Sequence, residues 1–219
     1  MDLPIQSYSV VLRGNFNPAI FHPSWFGAHG LLRPEEVEQA VKQPEMVVHS
    51  EASVFSAEWL QIAVTKDRFQ AFTTQESHSE LLRDLVMSIF GLLVHTPLNA
   101  MGLNRDFHFR LESNDVRNSL GYRLVPKQNW QNVLKSPGMM NVTVHGQRPD
   151  DLHGYIQVVV APSVKVDNGV YIAINDHYEL KTDSTKAATE KATDILSKSW
   201  SVSMERAKTI ATTLVVGGG

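Results

Sequence analysis

The stretch SHSELLRDLVMSIFGLLVH, residues 77–95, decides the fold. Leu81, Leu82, Leu85, Val86, Ile89, Phe90 and Leu93 recur three and four apart, so they line one side of a helix of about four turns, with Leu85 in the middle of the stripe. Ser77, followed three residues on by Glu80, predicts a capping box at its start, and Pro97 stops it. A stripe of that width needs an apolar layer to lie on, and the flanking sequence supplies one.

Upstream, residues 46–55, 59–65 and 68–74 read as strands. Lys66-Asp67 forms a tight turn that sets Leu60, Ile62 and Val64 opposite Phe69 and Ala71, an antiparallel meander. Before them, residues 33–42 read as a short helix with Pro34 in its first turn and Glu35 and Glu36 behind it. Residues 5–13 form a strand in which Tyr8, Val10 and Leu12 alternate with their neighbours. The segment between, from Phe16 to Phe26, is predicted to be an ordered loop rich in aromatic residues and proline.

Downstream, residues 101–112 alternate again, with Phe107, Phe109 and Leu111 on one face and Asp106, His108 and Arg110 on the other. Residues 120–125 read as a strand, 126–134 as a short helix, and 139–146, 155–161 and 170–181 as strands. A helix over 184–214 ends the chain, with Ala188, Ala192, Leu196, Trp200, Met204, Ala207 and Ala211 inward. Some thirty residues make a helix of roughly 45 Å. The small and polar residues beyond Trp200 predict that its last two turns are less buried and open to a partner.

The order is strand, short helix, three strands, long helix, given twice. It predicts an α+β protein in which two pseudo-repeats, residues 1–112 and 113–219, share one curved antiparallel sheet, with both long helices on one face and a single continuous globular unit as the result. That arrangement is similar to the TATA-binding-protein-like fold, an analogy of architecture alone. Asn15-Phe16-Asn17-Pro18 after the opening strand, the run from Met101 to Phe109, and the later Val170-Tyr171-Ile172-Ala173-Ile174-Asn175 before the terminal helix resemble a sporadically distributed family of prokaryotic proteins. The resemblance implies a duplicated α+β architecture in a prokaryotic cytoplasm and brings no catalytic residues with it.

Composition narrows the function classes. Twenty Lys and Arg against 23 Asp and Glu give a net charge of -3, so no long-range positive field gathers phosphate backbones. The absence of cysteine excludes disulfides, thiolate nucleophiles and cysteine zinc sites. The start, Met1-Asp2-Leu3-Pro4, lacks a basic and apolar leader, and no apolar run reaches membrane-spanning length, so a cytoplasmic protein without membrane contact is expected. Phosphate loops, nucleophile elbows and zinc-protease helices are missing from the sequence. No cofactor is implied.

Two sets of residues carry what functional signal there is. Strand alternation sends His108, His145, His177 and Glu179 to polar faces; if these shared one side of the sheet they could hold a divalent metal or exchange protons, although a solvated sheet face accepts the same residues. Phe16, Phe21, Trp25 and Phe26 either cap one end of the core or form a patch for a partner. The terminal Gly217, Gly218 and Gly219 read as a flexible tail. The leading expectation is a non-enzymatic binding or scaffold subunit with a protein partner or self-association. One alternative is nucleic-acid binding across the sheet through Arg110, Arg123 and Lys181, against which the net charge weighs; the other is a metal-assisted hydrolase using the histidine face.

Overall fold

The computed structural model describes residues 2–217 of the 219-residue chain. Among them are nine strands: β1 (Asp2–Gly14), β2 (Val47–Val48), β3 (Ala52–Ser56), β4 (Gln61–Thr65), β5 (Arg68–Thr73), β6 (Leu98–Arg110), β7 (Val142–Gln147), β8 (Gly154–Pro162) and β9 (Gly169–Glu179). They form one antiparallel sheet in the order β2-β3-β4-β5-β1-β6-β9-β8-β7. The helices are α1 (Pro23–Ala28), α2 (Pro34–Lys42), α3 (Ser79–Leu92), α4 (Asn114–Leu124) and α5 (Thr185–Val216).

The long strands β1 and β6 lie side by side in the middle, Val10 opposite Leu103. Their inward residues, Tyr8, Val10 and Leu12 on one and Met101, Leu103, Phe107 and Phe109 on the other, are buried against α3 and α5. Leu85 is buried as its place in the stripe requires. The core falls into two clusters, a larger one beneath α3 and the first half of α5, and a smaller one around Phe107, Phe109 and Ile172 beneath the end of α5. Between them, Arg105 of β6 and Asp176 of β9 occupy inward positions that the alternation reserves for apolar residues. Gly154, with φ of +145°, opens β8 where a Cβ would lie 1.9 Å from the His177 carbonyl oxygen; only glycine passes there.

Several sequence expectations are corrected. Residues 120–124 belong to a helix, α4, with Val125 capping its end, and its start is fixed by Ser113 accepting a hydrogen bond from the Val116 amide; Leu120 and Gly121 are its buried residues, and the short run was compatible with either element. The helix expected over 126–134 is a single 3-10 turn at Lys127–Asn129. The loop from Phe16 to Phe26 contains a 3-10 turn at Pro18–Ile20 and most of α1, begun by Asn17 and His22 side chains that accept from Ala19 and Ser24 amides. Residues 46–55 divide into β2 and β3. At α3 no capping box forms, because Glu76–His78 makes a 3-10 turn and the helix starts at Ser79; Leu81 is exposed.

The terminal helix runs two residues past its expected end, to Val216. Ser184 caps α5, and its hydroxyl accepts from the Ala187 amide. The helix extends 32 residues because it covers both clusters: Ala192, Leu196 and Trp200 fill the first, and Ala207 and Ala211 lie in the second at 2% and 0% exposure. Its last two turns are less buried than the turns before them, as expected, yet they touch the core through Ala211 and the partly buried Ile210, Leu214 and Val215. Small residues there mark close approach to the sheet, as alanine does when a helix backbone must come near a packed layer. Gly217 closes the helix, its amide donating to the Thr213 carbonyl at 2.7 Å; Gly218 and Gly219 lie outside the described residues.

Candidate functional site: the open face of the sheet

With α3 and α5 on one side, the opposite face carries a groove of about 500 Å3 running over the central strands. Its floor is made of small side chains on β1, β6 and β9, of which Ser9 and Gly102 are buried. Larger residues stand at its flanks, Arg68 and Gln70 on β5 and Tyr155 and Gln157 on β8. Antiparallel register sets Ser9, Asn104, Asn175 and Gln157 directly opposite one another in a row across four strands. Asn104 Nδ2 donates to Ser9 Oγ at 3.2 Å, whereas Asn175 Oδ1 is buried with no donor in reach. A Cβ on Gly102 would stand 2.7 Å from that oxygen, so glycine keeps the floor open.

The two ends of the groove differ in charge. At one, Arg13 and Arg68 face each other across β1 and β5; Arg13 reaches Asp67 at 2.6 Å, and burial together with the neighbouring Arg13 lowers the affinity of the Arg68 guanidinium for its proton. At the other lies Asp106, whose neighbours are hydroxyls, Ser7 at 3.4 Å and Tyr171. Burial raises the Asp106 carboxyl above the usual carboxylate range. The Tyr171 phenol is pushed up to about 12 by burial and by the adjacent carboxylate.

The predicted histidines are separated by this geometry. His145, Tyr155 and His177 form a ladder across β7, β8 and β9, with Tyr155 held between the two imidazoles at 4.4 Å from each. Glu179, two residues beyond His177, is exposed and turned toward Lys181 at 3.9 Å. His108 sits opposite Tyr171, six residues from His177 along β9, roughly 20 Å away at 3.3 Å per residue. Among the described residues no group of three or more His, Asp and Glu side chains is arranged to hold a metal ion. His108 Nδ1 is 2.8 Å from Ser163 Oγ, which also accepts from the Lys165 and Val166 amides at 3.1 and 3.0 Å. With both lone pairs so engaged, the serine hydroxyl donates to the imidazole and is a turn-forming group, not a free nucleophile. Burial lowers the affinity of both His108 and His177 for a proton, and Lys165 adds to the effect at His108.

The aromatic residues of the first connection are directed inward. Phe16, Phe21 and Phe26 are buried in the larger cluster, with Phe21 and Phe69 5.5 Å apart, and Trp25 is half-buried against Phe26. Of the cations expected on the sheet, Arg110 faces Asp2 at 3.6 Å, Lys181 is exposed just past β9, and Arg123 lies on α4, where it donates to the Leu214 carbonyl.

Beneath α5 the structure holds a second polar cluster that alternation alone did not single out. Asp176 accepts from Arg148, from Ser203 Oγ at 2.7 Å, from Arg206 at 2.9 Å and from Tyr178 at 3.3 Å. Arg148 also grips Asp150 with two hydrogen bonds of 2.9 and 2.8 Å and lies 3.8 Å over the Tyr178 ring. That grip holds the Asp150 carboxyl below the usual range. The visible signal was Asp176 itself, placed after Val170, Ile172 and Ile174 on the inward face of β9. No protein-family model matches the chain, and no curated protein matches it.

Proposed function

We propose that the chain is a non-enzymatic binding subunit of a prokaryotic cytoplasmic complex, and that the open groove receives a segment of a partner protein. The row Ser9, Asn104, Asn175 and Gln157 carries this reading. Side-chain amides offer the same uncharged donor and acceptor pair as a peptide group, and Asn175 Oδ1 lacks a donor that such a ligand would bring. His177 stacks on the Tyr155 ring and His145 meets it nearly at right angles, contacts that a stacking base would have to displace, which weighs against the nucleic-acid alternative. The separation of His108 from His145 and His177 gives a metal-assisted hydrolase less support.

The architecture fits a duplicated unit of the TATA-binding-protein-like kind. β1 and β6 meet antiparallel at the centre, β5 flanks β1 and β9 flanks β6, and α3 and α5 lie on the same face; taken this way the second unit begins at β6 and not after residue 112. Such a saddle offers a broad concave surface in its open groove.

Gly102→Leu tests the binding reading. The new side chain displaces the Asn175 amide and fills the floor, while the helix-covered core is untouched. Quantitative pull-down from source cells is expected to recover a protein with the wild type and lose it with Gly102→Leu, at an unchanged melting temperature. A partner held equally by both would place binding elsewhere, and retention of single-stranded nucleic acid at low ionic strength would favour the alternative.

A further inference from the structure

The sheet ends in two unlike edges. β2 is two residues long, but β7 runs six residues, Val-Thr-Val-His-Gly-Gln, with its outer side unpaired and with neither a charged residue nor a proline along it. Edge strands are ordinarily blunted by charge, proline or brevity, because unpaired amides and carbonyls invite another strand. β7 is exposed along almost its whole length, since α5 reaches β9 and β6 without covering it. On its helix side Val144 is 58% exposed, just before the strand Met140 is 83% exposed, and a hollow of about 230 Å3 lined by Tyr122, Trp130, Leu134 and Met140 opens beside the start of the strand.

The geometry points to a second copy of this chain as the partner of β7, paired antiparallel about a two-fold axis normal to the sheet. An uncharged edge meets its own copy without like-charge repulsion, and the same six residues bring the backbone donors and acceptors that the edge lacks. Pairing β7 with β2 of the next molecule would build an open chain through a two-residue contact, whereas β7 with β7 closes as a dimer. Directly opposed residues of an antiparallel pair share a face, so the axis passes through a residue pair and not between residues. Centring it on Val144 places that valine against its copy, Thr143 opposite His145 and Val142 opposite Gly146. The two nine-stranded sheets then continue into one another, with both helix layers on one side and both open grooves on the other.

Charge exchange at Val144 tests the pairing. Val144→Lys and Val144→Glu both add a charge at an exposed position and leave the fold intact, as circular dichroism would verify. In sedimentation velocity the wild type is expected as a dimer, each variant alone with dimerisation weakened by about tenfold or more, and an equimolar mixture of the two restored as a heterodimer. A wild type that stays monomeric at every concentration overturns the inference, as does a dimer indifferent to either variant. Loss in both variants without recovery in the mixture also overturns it, because the valines would then not be face to face. A monomer that instead takes an extended segment of another protein on this edge assigns β7 a different occupant and rejects the self-pairing.

Discussion

Asp176 and Asp106 stand on neighbouring strands and point to opposite faces of the same sheet. Asp176, 1% exposed, is surrounded by donors from three elements: Arg148 after β7, Tyr178 on β9, and Ser203 and Arg206 on α5. Asp106 is half-buried with two hydroxyls and no cation in contact. The first carboxylate is saturated and has nothing left to offer a ligand; its position ties the β7–β8 connection to α5 across the seam between the two core clusters. The second keeps acceptor capacity in a groove, at a cost to the folded state, which is the pattern of a residue retained for binding.

The largest test of this contrast is Asp176→Ala. It leaves Arg148, whose side chain is 1% exposed, and Arg206 facing each other with their shared acceptor gone. Breaking a buried ion pair by removing one partner costs about 3–5 kcal/mol. Urea denaturation is expected to show a loss of that size, and a loss under about 1 kcal/mol would show that Asp150 alone satisfies both arginines. Ser203→Ala is a smaller probe of the same cluster. It removes a single hydrogen bond to a carboxylate in a place with 2% exposure, for an expected loss of about 1.5–3 kcal/mol in the same measurement.

The same contrast explains what could be read from the sequence. Alternation in residues 5–13 and 101–112 located β1 and β6 because each strand buries one face only, and the register of β4 with β5 followed from a two-residue turn. The groove was not legible, since Ser9, Asn104, Asn175 and Gln157 are separated by up to 166 positions and become neighbours only through strand order. The histidines were visible as outward residues, yet outwardness does not say how far along a strand each lies, and the offset of six positions from Tyr171 to His177 separates His108 from the others. The stripe of α5 was legible to its end, since Ala207 and Ala211 continue the spacing of Leu196 and Trp200 and are buried; alanine is what a helix presents where it lies close on a sheet. Asp176 and Arg105 were the clearest missed signals, each a charge set among apolar residues at period two.

Asp106→Asn is the smallest expected change and has the opposite sign. Because burial lifts the Asp106 carboxyl above its ordinary value, the unfolded chain releases that proton at lower pH than the folded one. The stabilising contribution of the protonated side chain is therefore complete below the unfolded value of about 3.9 and is lost as pH rises through the folded value. At neutral pH the wild type holds a buried charge that the Asn variant lacks, so the variant is expected to be the more stable, and the difference should shrink on acidification and vanish near about pH 4. His108 and His177, whose proton affinities burial lowers, weaken both proteins alike as pH falls below about 6.5, and they cancel when the two stability curves are subtracted. Equilibrium unfolding of both proteins across this range gives that difference directly. A variant less stable than the wild type at neutral pH would mean that the Asp106 carboxylate is held by a favourable partner, Lys165 being the nearby cation, and the two aspartates would then do the same architectural work on both faces of the sheet.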